Sequence, residues 1–145
     1  MIRWTLETPI KAEDFTPGRQ PYDEEALRRL SAVYAQDVVF SDPIYTLKGL
    51  DELRQGHLDF IHRFEIAMTT SEAAQSGSRI FLPWTMVCRH RRWGWTITID
   101  GVSVFDCNDH GQIIAQRDHW DLLKTLAEAN PLAKALREKA IALLS

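Results

Sequence analysis

Basic charge, cysteine and long apolar runs are all scarce in this chain, and each scarcity removes a class of function. Seventeen Lys and Arg stand against 20 Asp and Glu, a formal net charge of -3, so the basic footprint that nucleic acid or an anionic membrane requires is missing. Cys88 and Cys107 are the only cysteines and form no CxxC pair. They build neither a disulfide framework nor a zinc site, and buried free thiols are expected. The five histidines show no HExxH or other paired spacing, so no metal is expected. There is no GxGxxG or GxxxxGK loop to cradle phosphate and no nucleophile elbow around a Ser or Cys. No run approaches the ~18 apolar residues of a membrane span, and the polar start MIRWTLETPIKAED lacks a signal-peptide core. A cytoplasmic protein without a cofactor, a nucleic-acid partner or a membrane partner is the expectation.

What is present is enough apolar material for one core. At 145 residues and 45% hydrophobic, the chain suits a single domain and is too short for two ordinary ones. Residues 1–22 hold Pro9, Pro17, Gly18 and Pro21 without sustained periodicity and read as an irregular arm with at most a short helix near Ile10 to Phe15. The domain proper is expected over 23–145. Asp23 suits an N-cap, and Leu27, Leu30, Val33 and Tyr34 follow at helical spacing. AQDVVFSDP then turns extended, with Asp42 kept out of the α region by Pro43. After Gly49, the residues Leu50, Leu53, His57, Phe60, Ile61 and Phe64 stripe a second helix. Four β-patterned runs come next, IAMTTSEAAQ, SRIFLPWTMVCRH, GWTITIDGVSVFD and QIIAQRDHW, separated by turn signals, which predicts an antiparallel meander. Asn130 and Pro131 open a last helix striped by Leu132, Leu136, Ala140 and Leu143. The class is α+β, with helices on one side of the sheet.

The segment Ile113–Leu122 is the least suited to a plain core strand. Alternation places Ile114, Gln116, Asp118 and Trp120 on one face and Ile113, Ala115, Arg117 and His119 on the other. A carboxylate between an amide and an indole suits a pocket wall, or else an ion pair with a neighbouring Arg. The basic-aromatic tract Arg89 to Trp95 reads as a solvated hairpin end with its tryptophans folded back on the sheet or a dimer partner, rather than a nucleic-acid element.

The run VYAQDVVFSDPIYTLKGLDEL, with FLPWTM, IDGVSVFD and QIIAQRDHWD, resembles the nuclear transport factor 2-like (NTF2-like) superfamily, in particular its SnoaL-like branch, over roughly residues 23 to 125. The resemblance implies a cone: a curved antiparallel sheet packed on N-terminal helices, with a largely apolar cavity inside and a dimer through the sheet's outer face. It also implies two acidic positions. Asp42 of FSDPIY falls where ketosteroid isomerase carries its general base, and Asp118 of RDHWD falls where limonene epoxide hydrolase carries a water-activating aspartate. The remaining partners are not matched. The isomerase's protonated aspartate aligns with Gly101, and the hydrolase's Arg and Asp align with Trp84 and Met86.

Asp42 and Asp118 are therefore the candidate catalytic residues, since a carboxyl group in an apolar cavity loses hydration and gains a pKa useful for proton transfer near neutrality. Asp42 has a competing role as a turn former. Tyr45 and Ser103 are candidate hydroxyl donors, and Phe60, Phe64, Trp84, Met86 and Trp120 the apolar walls for a small apolar organic ligand. His57 reads as a hydrogen-bonded interior histidine. Val102, Val104, Ile113 and Ala115 are expected on an apolar outer face that favours a homodimer. Two functions stay open: cofactor-independent acid/base catalysis of the isomerase, dehydratase or hydrolase type, and a non-catalytic small-molecule-binding or protein-interaction module.

Overall fold

The computed structural model describes residues 3–145. Its elements are a 3₁₀ turn at Ala12–Asp14, β1 (Gly18–Pro21), α1 (Glu24–Ser31), β2 (Tyr34–Ser41), β3 (Thr46–Lys48), α2 (Leu50–Arg63), β4 (Phe64–Thr70), β5 (Ala74–Ser76), β6 (Arg79–His90), β7 (Thr96–Cys107), β8 (Ile113–Trp120), α3 (Leu122–Ala129) and α4 (Pro131–Leu144). The strands form one curved, unclosed sheet in the order β1-β4-β6-β7-β8-β2-β3, with β5 on the free end of β6. The meander β4-β6-β7-β8 is antiparallel, as the alternation predicts, whereas β2 joins β8 in parallel. That pairing brings the start of the chain beside its last strand, a long-range step that local periodicity does not encode.

Local chemistry explains the helix ends. The Asp23 carboxylate accepts the Ala26 amide at 3.0 Å and caps α1, which ends at Ser31, so Tyr34 opens β2 instead of continuing the helical stripe. The Asn130 side chain accepts the Leu132 amide, with Pro131 in the first turn of α4. Asp121 does the same for α3 by accepting from the Lys124 amide. That helix is absent from the sequence reading, although Asp121 followed by LLKTLAEA is its signal. No helix among the described residues is long and apolar enough to cross a membrane.

The N-terminal segment is less independent than its composition suggests. Trp4, Leu6, Ile10 and Phe15 are buried in the common core, and Gly18–Pro21 pairs with β4 as the edge strand. Phe15 stacks on Phe105 of β7 with ring centroids 5.2 Å apart. The segment is tied down where the Ile10 amide donates to the Gly111 carbonyl at 3.0 Å. Gly111 has φ of +74°, and an added Cβ would lie 2.2 Å from Pro9, so only glycine fits there.

One strand phase differs from the alternation. Ile113 is fully buried and Ile114 is exposed, the reverse of the expected assignment. Asp106 pairs with Ala115 but Cys107 pairs with Ile113, so Ile114 is an extra residue bulged out of the ladder. A bulge shifts the side-chain phase by one residue. Beyond it the expected phase resumes, with Gln116, Asp118 and Trp120 inward and Arg117 and His119 outward and exposed. Ile113 is accordingly no part of the outer face.

Candidate functional site

The concave side of the sheet encloses, with α2 and α3, a cavity of about 380 Å³. Its floor is apolar, built from residues such as Met68, Leu82 and Phe105, and α3 contributes Leu122, Thr125 and Leu126. All nine candidate residues border it: Asp42, Asp118, Tyr45, Phe60, Phe64, Trp84, Met86, Ser103 and Trp120. They do not border it equally. Asp118, Ser103 and Trp84 stand at its inner end in one hydrogen-bond network, while Asp42 and Tyr45 stand where the β2–β3 turn meets solvent.

The inner network follows from strand register. Ser103 and Asp118 are cross-strand partners on β7 and β8, so their side chains rise side by side. The Ser103 hydroxyl donates to Asp118 Oδ1 at 2.6 Å, and the Gln116 amide nitrogen donates to the same oxygen at 2.9 Å. Trp84 Nε1 donates to Ser103 Oγ at 2.8 Å. An indole N–H can only donate, so Ser103 must accept from it and turn its own hydrogen toward Asp118. On the other side the Tyr34 hydroxyl donates to Gln116 Oε1, which orients the Gln116 amide with its nitrogen toward Asp118. Both relays end on Oδ1. No buried polar side-chain atom among the described residues lacks a partner, and Oδ2 has none within the protein, so Oδ2 opens on the cavity. Any proton held by Asp118 therefore resides on Oδ2.

Burial raises the Asp118 carboxyl to about 6, and the nearby charge of Asp42 adds to the rise, against the opposing hydrogen bonds from Ser103 and Gln116. Desolvation outweighs the two donors. The outcome is a carboxyl group that exchanges its proton close to neutral pH, with one oxygen fixed and the other facing an apolar space.

Asp42 occupies a different setting. Its Oδ1 accepts the backbone amides of Ile44 and Tyr45 at 2.8 and 3.0 Å, and its own amide donates to the Tyr45 carbonyl. This is the turn-forming role available to an Asp before Pro. Tyr45 and Ile44 are exposed beside it, and Arg63 of α2 also lines this end.

Two alignments suggested by the resemblance acquire physical reasons. Gly101, the position of the isomerase's second acid, is covered by the Trp84 ring: a Cβ there would lie 2.5 Å from the indole. The same ring that donates to Ser103 thus excludes any side chain at 101. Met86 adds apolar wall where the hydrolase pattern needs charge. At the hairpin, Trp95 packs edge-on against Phe64 and stacks on His90, and lines the cavity. Trp93 instead stays out, 65% exposed, with Arg92 over its ring.

Sequence reading missed Tyr22, Tyr34 and Gln116 as site residues, and took His57 as interior only. Tyr22 and Tyr34 sit in segments read as arm and helix, so neither the place of Tyr22 on the cavity nor the reach of Tyr34 to Gln116 was visible. Gln116 shares the inward phase with Asp118, which is the one signal that pointed to it. His57 Nδ1 pairs with the Tyr22 hydroxyl at 2.8 Å, and His57 packs perpendicular to Phe40 with centroids 4.8 Å apart. Burial lowers the imidazole to about 4, so it is neutral at physiological pH. Among the described residues no cluster of His, Cys, Asp and Glu has the arrangement of a metal site.

Solved structures with the same arrangement of strands and helices include an epoxide hydrolase of the limonene epoxide hydrolase-like type from M. tuberculosis, at a TM-score of 0.61 and 16% identity over 84% of this chain and 85% of that one. The delta 5-3-ketosteroid isomerase of a Mycobacterium species aligns at 0.58 and 18% identity, covering 69% and 84%. An NTF2-like protein of unknown function from an Exiguobacterium species aligns at 0.60 and 18%, covering 70% and 87%. At such identities these likenesses establish the shared fold. No curated protein matches in sequence. The SnoaL-like domain model matches residues 20–116, from the edge strand through the Gln116 that orients Asp118, and the chain belongs to that family.

Proposed function

We propose that this protein is a cofactor-independent enzyme in which Asp118 transfers a proton to or from a small, neutral, largely apolar molecule held in the cavity. The observation that carries this reading is the asymmetry of Asp118. Oδ1 is held by Ser103 and Gln116, Oδ2 faces the cavity, and burial brings the group to about 6. A proton-transfer group works best when its pKa lies near the operating pH. Trp84, Trp120, Phe60, Phe64 and Met86 give the surrounding walls, which favour a flat apolar body over a charged one. Reactions of this kind include isomerisation, dehydration and hydrolysis. Asp42 and Tyr45 contribute at the rim, where they meet a ligand's outer end.

The decisive experiment identifies the molecule that co-purifies with, or is retained from, a metabolite extract, and follows its mass over long incubation with wild type and with Asp118→Asn. Conversion by wild type and none by the variant supports the reading. Equal conversion by both overturns it. Retention without conversion by either favours a binding module, a reading that draws on the absence of the second acid at Gly101.

The outer face of the sheet supports a homodimer. Val102 points away from the cavity, flanked across the ladder by Pro83, and Val87 on the same face is 41% exposed, whereas Val104, expected on this exposed strip, is already buried in the single chain. Ion pairs from Arg79 and Arg117 to Asp106 border this strip. A two-fold pairing would remove it from water. Sedimentation at micromolar concentration is expected to give a dimer that Val102→Glu dissociates, and a wild-type monomer would refute it.

A further inference from the structure

His57 is a buried polar group on the helical side of the cavity that the proton transfer at Asp118 leaves without a task. Its surroundings define its state closely. Tyr22 is buried, and its hydroxyl has His57 Nδ1 as its hydrogen-bond partner. Burial first, and the Asp118 charge second, push the phenol well above its ordinary range, so the hydroxyl keeps its proton and needs an acceptor. A neutral imidazole offers one accepting nitrogen, and here it must be Nδ1. The ring proton is then on Nε2. Nε2 has no protein partner, and since no buried polar side-chain atom among the described residues is unpartnered, this N–H opens on the cavity that His57 lines. Edge-to-face packing on Phe40 and on Tyr22 keeps the ring from turning.

Resting on the reading of the cavity as a ligand site, we propose that His57 Nε2–H is the hydrogen-bond donor for a carbonyl oxygen of the substrate, which makes the substrate class apolar ketones and related neutral carbonyl compounds. The chemistry is complementary to that of Asp118. The donor stands on α2 and the proton-exchanging carboxyl on β8, so a molecule that satisfies both presents its oxygen to the helix and its reacting carbon or leaving group to the sheet. A neutral donor polarises a carbonyl without demanding a counter-ion, which an apolar site would not stabilise. An unsatisfied donor in such a site also discriminates against ligands with no acceptor to offer. Tyr22 acts as a positioning residue, because its hydroxyl selects the tautomer.

The test compares 1-tetralone with tetralin, two bicyclic probes of nearly equal shape that differ in one carbonyl oxygen. Their dissociation constants are read from quenching of the cavity tryptophans. The wild type is expected to favour the ketone by about five- to ten-fold, the worth of one hydrogen bond. His57→Leu is expected to remove that preference while tetralin binding persists, and His57→Gln, which keeps a donor, to restore most of it. Tyr22→Phe is expected to give an intermediate ratio. A merely structural role for His57 would weaken both probes together and leave the ratio unchanged, which overturns the proposal, as does failure of the wild type to bind either probe. The ¹⁵N spectrum of the wild-type imidazole gives an independent readout: protonation at Nε2 is expected, and protonation at Nδ1 overturns it. Asp118→Asn is expected to keep the ketone preference, so loss of proton transfer and loss of carbonyl recognition are seen separately.

Discussion

Asp42 and Asp118 lie side by side where β2 runs parallel to β8, the same residue type in opposite circumstances. At the rim, Asp42 gives its side-chain oxygen to the backbone amides of its own turn and stands beside exposed Ile44 and Tyr45. At the inner end, Asp118 is held by side chains from two strands and lies deep enough for its carboxyl to rise to about 6. Asp42 is a local structure whose hydrogen bonds span three residues. Asp118 is a product of sheet register, since its partner Ser103 is remote in sequence and is itself oriented by Trp84 from a third strand. On the function proposed above, the contrast assigns the proton transfer to the carboxylate whose environment is assembled by tertiary contacts.

The largest effect that can break this contrast is on turnover. Asp118→Asn is expected to fold normally and to lose about 10²- to 10⁴-fold in kcat/KM, the range for removing a positioned proton-transfer group. Asp42→Asn, measured in the same assay, is expected to lose less than about ten-fold. Reversal of that order would relocate the chemistry to the rim. In the wild type, a base role for Asp118 gives kcat/KM that rises with pH through about 6, and an acid role one that falls through it.

Next in size are the opposed pH dependences of stability. Between the unfolded value of 3.8 and about 6, native Asp118 holds a proton that the unfolded chain has released, so stability falls as pH rises through that window. His57 runs the other way. Between about 4 and its ordinary 6.5 the unfolded chain binds a proton that the native imidazole does not, so stability rises with pH there. Each contributes at most about 3 kcal/mol over its window, and less where water enters the cavity. Asp118→Asn is therefore expected to gain on the wild type in urea melts as pH rises from 4 to 6, and His57→Gln to gain as pH falls from 6.5 to 4. Parallel curves for either variant and the wild type would mean that the group is fully solvated in the native state.

A smaller effect tests the support of the inner end. Gly101→Ala places a Cβ against the Trp84 ring and the His119 carbonyl, and is expected to cost about 1–3 kcal/mol as an overpacked site, with the Asp118 carboxyl pushed further up as the Trp84–Ser103 bond that supports one of its two donors is strained. An unperturbed Tm would show that the ring yields freely. The smallest effect expected is on stability from Asp42→Asn, within about 1 kcal/mol, because an Asn oxygen accepts the same two amides.

Much of this was legible in the residues. Alternation in GWTITIDGVSVFD and QIIAQRDHW located β7 and β8 and put Ser103, Asp118 and Trp120 on one face, because strand period is a local property. The Asp23 and Asn130 caps and the Asp42-Pro43 turn were equally local. What failed was phase where a strand departs from regularity. Ile113 and Ile114 are both apolar, so composition offered no sign of which one the bulge would turn outward. The helix after Asp121 was overlooked beside a stronger signal at Asn130.

By itself, then, the sequence determined the class of most segments, with β1, β3 and α3 the exceptions, and the inward face of Ser103, Asp118 and Trp120, since these depend on neighbours within a turn or a strand. Only the tertiary structure decided which acid is held from both sides, that Tyr34 and Gln116 orient it, that Trp84 fills the space above Gly101, and that Tyr22 selects the tautomer of His57. Each of those outcomes needs a side chain from a distant segment to arrive within hydrogen-bond or van der Waals distance, and a short-range pattern carries no record of such an arrival.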